Sequence, residues 1–263
     1  MDLGLDGKKA LVTGASRGLG YATALVLAKE GVDIVINSRN KEMLSNAAKH
    51  IAEVTNSKVI PMVGDVADHV VPDELVKDSA EVLGGIDLLF TNSGGPPPGS
   101  FESFDDAAWL KAVDLSFLCH VRLIRAALPF LRKSDDASVL TVSSYSVKQP
   151  IPNLVLSNSI RAATVNLTKT LALELGAEGI RFNSILPGWT KTERVNELLA
   201  ARAEAHHSSI EEEFSKQAKD SPLGRMATPE EFANAAVFLL SPTASYLTGV
   251  MLSVDGGMVK GVF

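Results

Sequence analysis

Apolar residues fall along this chain in short, β-branched runs separated by longer stretches with helical spacing. Ala10-Leu11-Val12 is the first run and ends in a glycine-rich turn. Ile34-Val35-Ile36 is the second, followed by polar Asn37-Ser38-Arg39-Asn40. Residues 59–63, 86–90, 139–142, 181–186 and 250–254 supply five more. Regular alternation of such runs with helices predicts βαβ units, because parallel strands need a crossover element between them. The expected fold class is α/β. It is a doubly wound parallel seven-stranded sheet with helices on both faces, in a single domain over residues 1–263.

Local signals fix some boundaries. Thr228-Pro229-Glu230-Glu231 reads as an N-cap, a proline at the first helical position and a glutamate closing a capping box. Pro242 lies just beyond the apolar run that follows. Gly31 comes straight after Leu27-Ala28-Lys29-Glu30, where a helix ends. One segment, residues 189–226, breaks the alternation. It has no strand signal and reads as charged helix over 193–204 and again over 210–219. An insertion after a strand end tends to cover the site, since ligands bind at the carboxyl ends of parallel strands. It is expected to cover the substrate.

Composition narrows the function classes. Of 263 residues 46% are hydrophobic, enough for a sizeable core, and the net charge is −6. An acidic chain without a basic stripe is not expected to bind nucleic acid. The single cysteine, Cys119, offers no internal disulfide and reads as a small buried hydrophobe in a reducing compartment. The first nine residues have no apolar signal-peptide core, and no apolar run is long enough for a membrane span. A soluble cytoplasmic protein with no membrane partner is expected. His206-His207 are adjacent and so do not share a helix face, and no metal site is expected.

Chemistry enters at the first turn. Thr13-Gly14-Ala15-Ser16-Arg17-Gly18-Leu19-Gly20 joins the first strand to the first helix. Glycines there let the backbone approach a pyrophosphate, and the helix N-terminus offers free N–H groups to it. The pattern is that of a Rossmann-type dinucleotide-binding domain. An NAD site usually carries an acidic residue at the end of the second strand. Here that end reads Asn37-Ser38-Arg39. No carboxylate repels a 2′-phosphate, and Arg39 and Arg17 could pair with one. NADP(H) is therefore expected over NAD(H).

These features extend into a resemblance to the short-chain dehydrogenase/reductase family over nearly the whole chain. Residues 13–20 match its TGxxxGxG turn. Asp65-Val66 matches its adenine-contacting pair, and Asn92-Ser93-Gly94-Gly95 is similar to its NNAG segment. Ser143-Ser144 ends the fifth strand, where the family places its catalytic serine. Pro187-Gly188, with Thr190 and Thr192, matches the segment that touches the nicotinamide carboxamide. The tail over 249–257 is also typical. Within the family the chain most resembles the 3-oxoacyl-acyl-carrier-protein reductases. The resemblance implies hydride transfer between nicotinamide and a carbonyl or alcohol, with a 3-oxoacyl compound among the candidate substrates. It also implies a homodimer or homotetramer built on the helices near 105–132 and 156–175.

The catalytic positions depart from the family. Its Tyr-x-x-x-Lys falls on Ser157 and Arg161, and its asparagine on Asp114. Of the four usual residues only Ser144 remains. A serine hydroxyl needs an adjacent base to be activated, and a guanidinium stays protonated although it can still hold ribose hydroxyls. Tyr145, directly after Ser144, is one candidate source of a phenolic proton; the other reading is that it packs structurally. Asp114 is a second candidate acid or base, or else a solvated or capping carboxylate. Two functions follow: an oxidoreductase with a modified proton relay, or a dinucleotide-binding sensor or partner subunit with little turnover.

Overall fold

The computed structural model describes residues 2–262. Seven strands form one sheet in the order β3-β2-β1-β4-β5-β6-β7, and every neighbouring pair is parallel. The strands are β1 (Lys9–Thr13), β2 (Asp33–Ser38), β3 (Val59–Val63), β4 (Leu88–Thr91), β5 (Ser138–Val142), β6 (Arg181–Pro187) and β7 (Met251–Val254). Each of the seven apolar runs supplies one of them.

The runs are continuous rather than alternating because both faces of the sheet are covered. Successive residues of a strand point to opposite sides. Ala10 and Val12 enter one core with Ile34, Ile36, Leu88 and Phe90. Leu11, Val35 and Leu89 enter the other. The first core is closed by α1 (Gly18–Lys29), α2 (Lys41–Val54) and α9 (Pro229–Leu240), through residues such as Leu27, Leu44 and Phe232. The second is closed by α3 (Val71–Leu83), α5 (Cys119–Leu131) and α6 (Val155–Leu175), through Val76, Leu123 and Ala172. Leu27, Ile34 and Phe232 are fully buried, and burial of such side chains contributes about 1.5–3 kcal/mol each. Pro61 sits on edge strand β3, where a missing N–H is tolerated.

The caps are as the sequence predicts. Thr228 and Glu231 form a reciprocal capping box at the start of α9. Gly31 follows the end of α1 with φ +83°, a left-handed conformation that favours glycine. Between α3 and α6 the chain departs from a regular helix. A short α4 (Asp106–Val113) runs into a π turn over Asp114–Leu118 before α5 begins.

The segment after β6 folds as two helices, α7 (Glu193–His206) and α8 (Ile210–Lys219). They pack over the carboxyl ends of β5 and β6 through a small cluster of Tyr145, Trp189, Leu199, Met226 and Met258. The connection between them is held by Glu213. Its carboxylate accepts from Lys216 Nζ and Ser208 Oγ, each at 2.8 Å, and faces His206 Nδ1 at 3.4 Å. No helix is long and apolar enough, among the described residues, to cross a membrane.

The Lys216 ammonium, then the Ser208 hydroxyl, hold the Glu213 carboxyl down at about 2. A depressed carboxyl stabilises the fold fully above its ordinary value of 4.5 and loses that contribution as pH falls towards the folded value. The α7–α8 segment is therefore expected to lose hydrogen-exchange protection between those two pH values. Glu213→Gln should show the weakened protection already at neutral pH.

Candidate active site

The crossovers after β1 and β4 leave the sheet in opposite directions, so a crevice opens between the carboxyl ends of these two strands. A hydroxyl pins its base. Thr13 Oγ1 donates to the Asn92 carbonyl at 2.7 Å and accepts from the Asn92 N–H at 2.9 Å. Asn92 Nδ2 lies 3.4 Å from the Gly14 carbonyl. The glycine turn therefore abuts the end of β4. Within it Gly14 and Gly18 have φ of +63° and +60°. Gly20 is required for space instead: a Cβ there would lie 2.3 Å from the Gly14 carbonyl oxygen. Arg17 is the N-cap of α1 and makes no side-chain capping bond. The first-turn N–H groups of α1 are thus left for an outside acceptor.

A cleft of about 470 Å³ runs from this turn to the end of β6. At one end Ser38 Oγ donates to Ser16 Oγ at 2.9 Å, and Arg39 lies 3.7 Å from Asp65. Arg17 reaches Glu197 on α7 at 3.3 Å. Both arginines are largely exposed, and exposed pairs of this kind are weak and exchangeable. Leu19 and Val66 line the same end. Asn37 is buried at the cleft wall and donates to the Met62 and Gly64 carbonyls, which ties β2 to the end of β3.

At the other end β5 delivers Ser143 and Ser144 to the cleft. Ser144 caps a short turn over Tyr145–Val147, its Oγ accepting from the Ser146 N–H at 3.1 Å. Arg161, on α6, is only 8% exposed. Its Nη1 donates to the Val142 and Ser143 carbonyls at 3.2 Å each, which seats it beneath the end of β5. Ser157 lines the cleft one helical turn earlier. Tyr145 is buried, and its Oη accepts from Trp189 Nε1 at 3.0 Å. The Arg202 guanidinium stands 4.9 Å above the Trp189 ring, a cation–π contact. Burial pushes the Tyr145 phenol above its ordinary value, which the Trp189 hydrogen bond partly offsets.

All but two of the sequence candidates come together here. Gly14, Ser16, Arg17, Gly18, Leu19, Ser38, Arg39, Asp65, Val66, Asn92, Ser93 and Gly94 line the end of the cleft at the glycine turn. Ser144, Tyr145, Ser157, Arg161, Pro187, Gly188, Thr190 and Thr192 line the other. Gly20 lies behind the turn it makes possible. Asp114 lies outside the cleft: the π turn directs its carboxylate to Arg122 Nη2 at 2.8 Å, while Arg122 also binds the Ala67 carbonyl. Cys119 is buried, as the sequence suggests, and desolvation pushes its thiol up to about 11. His120 is fully buried against Thr91 and held down at about 3, so it is neutral. Among the described residues no group of side chains is suited to a metal ion. The insertion adds residues that single-position reading misses: Trp189, Glu193, Arg194, Val195, Glu197 and Leu198. Their signal is the helical spacing of 194, 197 and 198 in a segment already expected to cover the site.

A family model described as Enoyl-(Acyl carrier protein) reductase matches residues 14–259. The chain is 31% identical to a Thermotoga maritima 3-oxoacyl-[acyl-carrier-protein] reductase FabG, over 97% of this chain and 99% of that one. The chain belongs to the short-chain dehydrogenase/reductase family. Among solved structures, L-sorbose reductase from Gluconobacter frateurii, complexed with NADPH and L-sorbose, superposes with a TM-score of 0.95 at 32% identity over 100% of both chains. An NADPH-bound short chain oxidoreductase from Pseudomonas aeruginosa PAO1, described as containing an atypical catalytic center, superposes with a TM-score of 0.88 at 29% identity. It covers 97% of this chain and 98% of its own.

For this short-chain dehydrogenase/reductase the packing of the glycine turn makes a direct test. Gly20→Ala puts a methyl group against backbone that cannot give way. It should cost about 1–3 kcal/mol in chemical denaturation. A substitution at Gly176, where a Cβ meets nothing within 4 Å, is the control.

Proposed function

We propose that this chain is an NADP(H)-dependent oxidoreductase that moves a hydride between nicotinamide and a carbonyl or alcohol. Its proton relay is displaced from α6 to the end of β5. The observation that carries the cofactor reading is a glycine turn under an uncapped α1, flanked by Arg17 and Arg39 with no acidic residue at the end of β2. The close packing at Gly20 leaves backbone, not side chain, facing the anion site. The α1 N–H groups would hold the pyrophosphate. Arg17 and Arg39 would exchange their weak carboxylate partners for the 2′-phosphate. Thr190 and Thr192, behind Pro187-Gly188, would hold the carboxamide.

Bound, the nicotinamide supplies or accepts the hydride. The rest falls to the protein. Ser144 Oγ keeps its own hydrogen to orient a carbonyl oxygen, since it already accepts from the Ser146 N–H. Ser157 and Arg161 cannot supply a proton readily at neutral pH. Tyr145 is the remaining candidate. Its phenol carries its proton at neutral pH, although burial makes it a weaker acid than a free tyrosine; it accepts from Trp189, and among the described residues no protein acceptor takes its hydrogen. Asp114 has no part in this reading, because Arg122 holds it outside the cleft. Insertion helix α7 covers the substrate end. Leu110 on α4 and Leu173 on α6 are exposed, which supports a homo-oligomer assembled on those helices.

An NADPH and NADH fluorescence titration, followed by a panel of ketones and 3-oxoacyl thioesters, tests the reading. NADPH should bind more tightly than NADH. Arg17→Ala and Arg39→Ala should each weaken NADPH by about 10-fold while leaving NADH nearly unchanged. Equal loss for both cofactors would remove the 2′-phosphate assignment. Tight NADPH binding with no oxidation across the panel would favour the sensor.

A further inference from the structure

Arg161 is a buried cation without a counter-ion. It is more than nine-tenths buried, and no carboxylate lies within ion-pair distance of it among the described residues. The carboxylates that line the cleft lie elsewhere. Asp65 faces Arg39, and Glu197 faces both Arg17 and Arg194. Glu193 lies beside the first turn of α1, 3.9 Å from a Cβ built on Gly18. The titratable groups nearest the guanidinium bring no negative charge. The Cys119 thiol and the His120 imidazole are both neutral at physiological pH. Ser143, Ser144 and Ser157 are hydroxyls. A second guanidinium, Arg194, approaches from α7, its Nη2 bound to the Pro96 carbonyl at 3.2 Å. Desolvation first, and Arg194 after it, work against the charge on Arg161, yet a guanidinium keeps its proton.

Two Arg161 bonds, both from Nη1, go to backbone carbonyls. Nε and Nη2 carry three more N–H groups that have no protein partner among the described residues. Neither nitrogen is sealed away from the cleft. Leaving such a group uncompensated is expensive. Ribose hydroxyls would satisfy hydrogen bonds there but bring no charge. The cofactor phosphates belong at α1, behind β1, which lies two strands and about 10 Å from β5.

We propose that the substrate supplies the missing anion: it is an oxo acid whose free carboxylate docks on Arg161, with Arg194 assisting from α7. The planar fork of a guanidinium matches a carboxylate, which explains an arginine where a point charge would hold hydroxyls equally well. The idea rests on the oxidoreductase reading. In the reductive direction the carbonyl carbon gains a hydride with its electron pair. The C=O π pair passes to oxygen, and that oxygen takes one proton, restored to the protein from solvent. Oxo acid and reduced cofactor thus give hydroxy acid and oxidised cofactor.

Calorimetric titration of the intact protein, with and without saturating NADPH, tests this. The probes are oxamate, shaped as a 2-oxo acid, malonate, spaced as a 3-oxo acid, and neutral malonamide. One of the two anions should bind at least about 10-fold more tightly than malonamide, and which one it is tells the two acid classes apart. Arg161→Gln should weaken it by about 10–100-fold, Arg161→Lys by less, and Arg194→Gln measurably. If Arg161→Gln does not fold, Arg194→Gln and the amide comparison still decide. No anion binding to the wild type, equal binding of the amide, or unchanged affinity in the folded variants would overturn the proposal. Failure to bind NADPH would instead overturn the oxidoreductase reading, and the titration without cofactor would still judge the anion site.

Discussion

Everything functional in this molecule depends on the parting of β1 and β4. The two strands are paired at the centre of the sheet, but the chain leaves them towards opposite faces. Backbone groups at their carboxyl ends are thus exposed in a crevice instead of being covered by a crossover. Thr13 closes the base of that crevice by bonding both backbone groups of Asn92. The glycine turn rests on this tie, α1 starts from the turn, and α1 presents its unpaired N–H groups at a depth fixed by the contact of Gly20 with Gly14. A bulkier residue at Gly20 would lift the helix off the turn, and the anion site would lose its shape before any side chain was involved.

The second half of the cleft is organised by a different tension. Arg161 is anchored under β5 by two backbone carbonyls, and Ser143 returns a hydrogen bond to the Arg161 carbonyl at 3.3 Å. This places a permanent positive charge at the floor of the site. Tyr145 stands on the far side of Ser144, and the bond from Trp189 fixes its phenol to the root of the insertion. Arg202 on α7 presses on the same Trp189 ring. The helices that cover the site and the phenol inside it are therefore mechanically joined. A movement of α7 would move Trp189 and with it the Tyr145 phenol that lines the cleft. In the proposed relay, one hydrogen bond would couple the acid to the position of α7.

Much of this was legible in the sequence. The seven strands were readable because strands buried on both faces leave unbroken apolar runs, as at 34–36 and 139–142. The helices of the insertion were readable from their charge pattern, and α9 from its capping box. The glycine turn and the arginines beside it were readable because their chemistry is local. What was not legible is long-range or subtle. No periodicity distinguishes a π turn from an α-helix, so nothing at Asp114 announced that its carboxylate would turn to Arg122. The Trp189–Tyr145 bond joins residues 44 apart, and the approach of Arg194 to Arg161 joins an insertion to the core. Such pairs follow from packing, not from spacing along the chain.

The most direct test of the account is turnover of Tyr145→Phe on a substrate accepted by the wild type, read together with its NADPH affinity. NADPH binding should be retained while the rate of carbonyl reduction falls by about 10²–10⁴-fold, the usual cost of losing a positioned acid. Unchanged turnover in a folded, NADPH-binding variant would contradict it and return Tyr145 to a purely packing role beneath Trp189.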